Sequence, residues 1–256
     1  MLTQPLIRLS GEAVARYFGA APAFEAILHP DSFLALSGEP VADLNLGFID
    51  EGPHALDRLH QYGGRVRRLG LPCMLLLTND ASERLAPTAK EFGLGHVGSV
   101  PLMILEPSHE LPTSADFAVE QVSDDGGRVN AAALVARAFD IPLASMNRVL
   151  GPAILDEPDV KLYVARRDAV PISTVSTTRA GDTVGIWSMG TPPEFQRQGA
   201  GAATLASVIN AQRRQGAKRF YLYASDQGQP LYRKLGFQTL TTLAAWVRGH
   251  STQAAG

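Results

Sequence analysis

The stretch Met189-Gly-Thr-Pro-Pro-Glu-Phe-Gln-Arg-Gln-Gly-Ala-Gly-Ala-Ala-Thr204 carries the residues best suited to hold an anion. Pro192 and Pro193 stop a strand, because proline lacks the N–H that a ladder needs. Gln196 to Gly201 then lead into a helix. The first turn of a helix has N–H groups without partners and the positive end of the macrodipole. Gly199 and Gly201 let the backbone approach a bound group with no Cβ in the way. Arg197 adds a positive charge beside the same loop. This is the chemistry of a diphosphate cradle.

The residues alone leave two further readings open. One is a helix start whose glycines serve tight packing. The other is a dinucleotide loop, since Gly199-Ala-Gly-Ala-Ala-Thr approximates G-x-G-x-x-G. That fingerprint needs its first glycine directly after a strand and an acid about 20 residues on. Here two prolines intervene, the upstream strands read as a meander, and Arg219–Ala224 holds no acid.

Other reactive residue types read as structure. The single cysteine, Cys73, sits inside Cys-Met-Leu-Leu-Leu and reads as core. It can make no internal disulfide, and a reducing cytoplasm is the expected setting. The six histidines (His29, His54, His60, His96, His109, His250) show no metal-ligand spacing, so no metal is expected. Trp187, Tyr221, Tyr223 and Trp246 fall on strands and suit sheet packing better than base stacking. Arg65, Arg67 and Arg68 read as a wet helix face.

The elements that must position the loop follow from periodicity. Before Glu106 the chain reads strand, strand, helix, strand, helix, strand: Ser32–Ser37, Ala42–Ile49, His54–Leu69, Cys73–Leu77, Ser82–Phe92 and His96–Leu105. Pro107 and Pro112 mark an extended linker. After it come helices at Gly127–Phe139 and Ala144–Leu150, and strands at Val160–Ala165, Ile172–Thr178 and Val184–Met189. The loop's own helix runs Gly199–Gln215, with Gly216 past its end. Strand Arg219–Ala224, helix Pro230–Leu235 and strand Phe237–Val247 complete the pattern, and the tail from His250 reads as unstructured.

The two halves repeat. Leu85-Ala-Pro-Thr-Ala-Lys-Glu-Phe-Gly-Leu94 lies over Gly228-Gln-Pro-Leu-Tyr-Arg-Lys-Leu-Gly-Phe237 without a gap, and the order of elements is shared. This predicts an α/β protein of two lobes, residues 1–110 and 114–249, each a mixed, mostly antiparallel sheet flanked by helices. Residues 1–113 hold 8 Lys/Arg against 13 Asp/Glu, a net −5, and residues 114–256 hold 15 against 12, a net +3. An anionic ligand therefore belongs to the second lobe. The asymmetry is too small for a nucleic-acid partner. Charged residues at 19 % and hydrophobic ones at 45 % of 256 exclude bulk disorder. No apolar run is long enough for a membrane span, and the opening residues carry no leader pattern.

Residues 114–247 resemble the Gcn5-related N-acetyltransferase (GNAT) family. Gln196-Arg-Gln-Gly-Ala-Gly201 fits its Q/R-x-x-G-x-G/A signature, and Thr191-Pro-Pro-Glu-Phe195 resembles its V-x-P-E-Y lead-in. Leu231-Tyr-Arg-Lys-Leu-Gly-Phe237 resembles its L-Y-x-K-L-G-F segment. The N-terminal half is similar in fold without the motifs, which implies a tandem acetyltransferase with a degenerate first lobe. The resemblance implies that the backbone at Met189, Gly190 and Thr191 pairs with the pantetheine arm of acetyl-CoA. It implies that N–H groups of the loop (Gln196, Arg197, Gln198, Gly199, Ala200, Gly201, Ala202) hold the pyrophosphate, and that Ser225 and Asp226 lie along the arm. Asp226 stands where the family often has Asn, and a carboxylate can only accept.

Tyr232 stands where the family often has a general acid. A phenol with pKa near 10 can protonate a leaving thiolate, and activity is then expected to fall as the phenol ionises. The other role for Tyr232 is packing. No carboxylate lies in Gly185-Ile-Trp-Ser-Met189 to act as base; Asp140, Glu157, Asp182 or a water relay are the candidates. The resulting expectation is a cytoplasmic enzyme moving an acetyl group from acetyl-CoA directly to a primary amine of a small molecule or peptide. The acceptor is expected near Phe139–Met146 and Leu240–Leu243. The alternative is an acyl-CoA-binding sensor or scaffold without turnover, which the missing base favours and Tyr232 opposes.

Overall fold

The structure, a computed structural model, describes residues 3–249, so the tail from His250 lies outside the described residues. In chain order the elements are α1 (Thr3–Phe18), β1 (Glu25–His29), β2 (Ser32–Leu36), β3 (Asn45–Ile49), α2 (Ala55–Leu69), β4 (Cys73–Leu77), α3 (Asn79–Glu91) and β5 (Gly95–Leu105). Then follow β6 (Ala118–Gln121), α4 (Asp125–Ala138), α5 (Leu143–Val149), β7 (Val160–Arg167), β8 (Val170–Ala180) and β9 (Thr183–Gly190). The last are α6 (Ala200–Arg214), β10 (Arg219–Tyr223), α7 (Gln229–Lys234) and β11 (Gln238–Arg248). The fold is α/β, with mixed sheet flanked by helices. Two compact units emerge: residues to Leu102 together with those from Thr239, and Met103–Gln238.

In the first unit the strand order is β1-β2-β3-β4-β11, with β3 and β4 parallel and the other pairs antiparallel. The α2 residues Leu59, Tyr62 and Val66 recur at helical spacing and are fully buried against β2–β4. Gly70, at φ +68°, ends α2, its N–H reaching back to the Arg67 carbonyl. Two differences from expectation have local causes. Residues 42–49 are not one strand: Ala42–Leu44 is a 3-10 turn, held because buried Asn45 donates to the carbonyls of Glu39 and Val41. Helix α1, unexpected from a sequence holding Pro5, Ser10 and Gly11, forms because Gly11 lets it rest on the Phe33 ring, where a Cβ would sit 2.9 Å away.

In the second unit the order is β10-β9-β8-β7-β6. All pairs are antiparallel except β9 with β10. Alternation sorts β9 and β10 by face. Val184, Ile186, Phe220 and Leu222 turn to α6 and join Leu205, Val208 and Ile209 in one core. Asp124 caps α4 by accepting from the Gly127 N–H at 2.7 Å. The proline-flanked linker is docked rather than free. The Asn210 side chain accepts from the Leu111 N–H (2.9 Å) and donates to the Leu111 carbonyl (2.8 Å), as a strand partner would.

Asn210 is 4 % exposed, so replacing it strands both backbone groups of buried Leu111. Asn210→Leu should lower stability by about 2–6 kcal/mol, from a cost of roughly 1–3 kcal/mol per unsatisfied buried group. Asn210→Asp, which keeps the acceptor, should fall between. Urea unfolding monitored by circular dichroism checks both, and unchanged midpoints would show the linker held by its ion pairs instead.

Candidate active site

The parallel pair β9/β10 matches Thr183 with Arg219, Val184 with Phe220 and Gly185 with Tyr221, then stops. Both strands continue, β9 to Gly190 and β10 to Tyr223. The cause lies in β9. Between Trp187 and Gly190 it advances three residues while β8 advances two, from Ser176 to Thr174. Ser188 takes the extra step at φ +46°. Such a bulge bends its strand and increases the twist. The last paired residue of β9, Gly185, is a glycine for a steric reason. A Cβ there would lie 2.8–2.9 Å from Thr178 Oγ1, Tyr221 Oη and Trp187 Nε1, which meet above it.

Beyond the gap, Gly190 passes under the end of α4, where a Cβ would be 2.9 Å from Ala138 and 3.1 Å from Phe139. Ser173 Oγ donates to the Gly190 carbonyl. The chain then makes a 3-10 turn at Pro193–Phe195 and enters the loop. Gln196 has φ −68°, while Arg197 and Gly199 are left-handed at +58° and +86°. These two left-handed residues turn the chain sharply into α6. Among the described residues the backbone N–H groups from Arg197 to Ala202 meet no protein acceptor, and that of Ala203 is the first to bond back, to Gly199 at 3.0 Å.

Side chains that reach the loop hold it rather than fill it. Gln196 Nε2 donates to the Thr191 carbonyl and Gln198 Nε2 to that of Glu194. Glu194 pairs with Arg137, whose guanidinium lies over Phe195. Gly201 closes the arrangement: a Cβ would be 3.3 Å from Met189 Cε and Thr191 Oγ1, and 3.5 Å from Leu231 Cδ2. The fold thus brings Met189, Thr191, Gly201 and α7 together at the mouth of the parted strands. Ser225 and Asp226 shape the turn into α7. Ser225 Oγ accepts from the Gly228 N–H, and Asp226 Oδ1 from Gln229 Nε2.

Tyr232 is 7 % exposed and packs edge-on against Phe237 with centroids 5.9 Å apart. No hydrogen bond of its hydroxyl occurs among the described residues. Burial pushes its pKa from 10 up to about 12, so the expected loss of activity near pH 10 moves above that range. The three acids separate. Asp140 follows Phe139 at the Gly190 end, exposed and left-handed. Asp182 lies at the other end of eight-residue β9, ~26 Å from Gly190 at ~3.3 Å per residue. It faces Lys218, its carbonyl accepting from the N–H groups of Lys218 and Arg219. Glu157 is at that same far end, accepting from the Asp159 N–H. No metal-binding cluster occurs among the described residues, and no described helix is long and apolar enough to cross a membrane.

The corresponding strands of the first unit do not part. β3 and β4 pair from Leu46/Met74 through Ile49/Leu77, the last residue of each. The loop that follows presents Asp50 and Glu51, and Ala89, fully buried, occupies the position that matches Tyr232. Sequence reasoning missed Ser173 and Arg137, whose contacts span sheet and helix and leave no local pattern.

The buried tyrosines set an alkaline limit. Tyr62, like Tyr232, is pushed up to about 12 by burial. An unfolded chain ionises these phenols near 10, so above that pH it binds fewer protons than the native state. Stability is then full below pH 10 and falls as pH rises toward 12, at up to ~1.4 kcal/mol per pH unit for each phenol. Tyr232→Phe removes one contribution. Its urea midpoint should fall less than wild type between about pH 9.5 and 11, and parallel curves would place the phenol in water.

Residues 158–239 match the family model described as acetyltransferase (GNAT) domain. No curated protein sequence matches the chain significantly. Among solved structures, a GCN5-related N-acetyltransferase from Kribbella flavida aligns with TM-score 0.67 at 20 % identity, covering 96 % of each chain. One from Sphaerobacter thermophilus aligns at 0.62 and 15 %, covering 89 % of this chain and 84 % of that one. A functionally unknown conserved protein from Staphylococcus epidermidis aligns at 0.62 and 17 %, covering 88 % and 94 %. Residues 158–239 thus match an acetyltransferase (GNAT) domain model, and the fold is similar to that of solved GCN5-related N-acetyltransferases along nearly the whole chain.

Proposed function

We propose that the chain transfers an acetyl group from acetyl-CoA directly to a primary amine on a small molecule or peptide. The observation that carries this reading is the pairing of two vacancies at one place: a strand pair that parts, and six backbone N–H groups without acceptors just beyond it. An extended amide-bearing arm can pair with the β9 backbone at Met189, Gly190 and Thr191 as an added strand does. The N–H groups from Arg197 to Ala202 suit the diphosphate that follows such an arm. Ser225 and Asp226 would lie along it. Asp226 already accepts from Gln229 and offers no donor of its own.

Tyr232 would act as general acid. As the amine nitrogen bonds to the acyl carbon and the carbon–sulfur bond breaks, the phenol proton goes to sulfur and the amine releases its own proton. Of the three acids, Asp140 stands at the cleft end of β9 and would take that proton through water. The first unit would be a degenerate lobe of a tandem pair. Strands paired to their ends, an acidic loop and Ala89 in place of the tyrosine all disfavour CoA there. A sensor without turnover is the second reading. It is favoured by the absence of a carboxylate on β9 beside the gap.

Calorimetry tests the binding half of this reading. One CoA should bind per chain, and Gly201→Val, which pushes a side chain between Met189, Thr191 and Leu231, should weaken it at least tenfold with the fold intact. Two sites per chain, or equal affinity in the variant, would remove the cradle or the degenerate lobe.

Turnover tests the chemistry. A screen of amines with radiolabelled acetyl-CoA should yield a labelled product, and Tyr232→Phe should slow its formation by roughly 10²–10⁴-fold with CoA affinity unchanged. Wild type should show no phenol-dependent loss of rate between about pH 6 and 10. No product from any amine, with CoA bound, would favour the sensor. Near-wild-type rates in Tyr232→Phe would leave the tyrosine a packing residue.

A further inference from the structure

Arg167 ends β7 at a hairpin of unusual build. The two residues between β7 and β8, Asp168 and Ala169, are both left-handed, at φ +50° and +66°. That is the geometry of a tight two-residue turn which glycine or asparagine would adopt more readily. One residue earlier the β7/β8 register slips, so that Ala165 faces Ser173 while Arg166 faces Pro171. A bulge of this kind re-aims the side chains beside it. Arg167 is the side chain that gains a destination. Its Nη2 donates to Gln198 Oε1 at 2.7 Å, and its guanidinium lies 6.0 Å from the centroid of Phe117. Phe117 in turn sits 3.8 Å from where a Cβ of Gly199 would be.

The guanidinium is therefore anchored to the loop at one nitrogen and packed on a ring. Its Nε and Nη1 have no acceptor among the described residues. Beside it are the N–H groups of Arg197 to Ala202, also without acceptors. An arginine held against the loop, with donors to spare near a row of N–H groups without acceptors, suits a phosphate oxygen.

We infer that Arg167 is a phosphate-binding residue of the loop, reaching from the β7/β8 hairpin to a phosphate of the nucleotide end of CoA. The inference rests on the reading of CoA as ligand. Gln198 then acts as a positioning residue, using one end of its amide to hold Arg167 and the other to hold the Glu194 carbonyl.

Calorimetry of the full chain at low and high salt, with CoA and with 3′-dephospho-CoA, tests it. Arg167→Gln should weaken CoA about tenfold or more at low salt, the scale of one lost charge-assisted hydrogen bond. Its affinity should also fall less steeply with added salt, because one ionic contact is gone. Arg167→Lys should recover part of both effects, and Gln198→Ala should give a smaller loss with the wild-type salt dependence. An equal loss for 3′-dephospho-CoA assigns the contact to the diphosphate, and no loss for it assigns the contact to the 3′-phosphate. Either supports the inference. Wild-type CoA affinity in Arg167→Gln, or a loss that salt does not alter, would overturn it while leaving the CoA reading standing. Failure of the unsubstituted chain to bind CoA at all would overturn that reading and this one together.

Discussion

The parting of β9 from β10 is the constraint on which the rest of the second unit depends. A strand inside a sheet has its backbone groups satisfied by its neighbours, and groups left without partners are costly unless water or a ligand meets them. Here the pairing ends at Gly185/Tyr221 although both strands run on. Ser188 accepts a left-handed conformation that costs a non-glycine residue of order 1 kcal/mol. Pro192 and Pro193 then keep the chain beyond Gly190 from continuing as a strand. Each of these features opposes ordinary sheet closure, and together they keep one slot open. The loop before α6 gains its interest from that slot, since a helix N-terminus alone is a common object.

The first unit supplies the internal control. It has a parallel strand pair, a following loop and a following helix in the same order, yet β3 and β4 pair to their last residues. Nothing comparable to the Ser188 slip is present in β3, where Leu46 to Ile49 match Met74 to Leu77 one for one. Gly47 there is filled over: a Cβ would be 2.4 Å from Leu75 Cδ2. Gly185 lies instead beneath three polar atoms of Thr178, Trp187 and Tyr221. A parallel pair followed by a loop and a helix is thus paired to its ends in the first unit and parted in the second, where β9 carries one extra residue against β8.

What was legible in the sequence is what local chemistry writes there. The α6 helix showed through its spacing of Leu205, Val208 and Ile209, and the loop through Pro192-Pro193, Arg197, Gly199 and Gly201. The bulge was not legible, because Ser188 carries no glycine signature and its slip exists only relative to β8. Helix α1 was hidden for a related reason. Its Pro5, Ser10 and Gly11 weaken a helix in isolation, and only contact with Phe33 explains Gly11. The acids failed as a set because sequence distance does not report which end of a strand a loop occupies. Asp140 and Asp182 read alike as loop residues, yet β9 lies between their positions. Arg167 was invisible because its two partners, Phe117 and Gln198, stand 50 and 31 residues away.

Burial of Tyr232 raises an apparent difficulty for an acid. A phenol pushed up to about 12 gives up its proton less readily than one in water, and a thiolate in water, with a pKa near 8.5, would hold it weakly. The same protein shows how the mismatch closes. Cys73, a thiol in an apolar core, is pushed from 9 up to about 12 by the same desolvation. If a thiolate is expelled beside Tyr232, the same desolvation would raise its affinity for a proton as it raises that of the phenol. Donor and acceptor would then be matched although both are displaced from their values in water. Matching by shared burial needs no cation to activate the tyrosine, which agrees with the absence of any charged partner at its hydroxyl among the described residues. On that proposal the edge-on ring of Phe237 would help keep the phenol desolvated as well as fill the core.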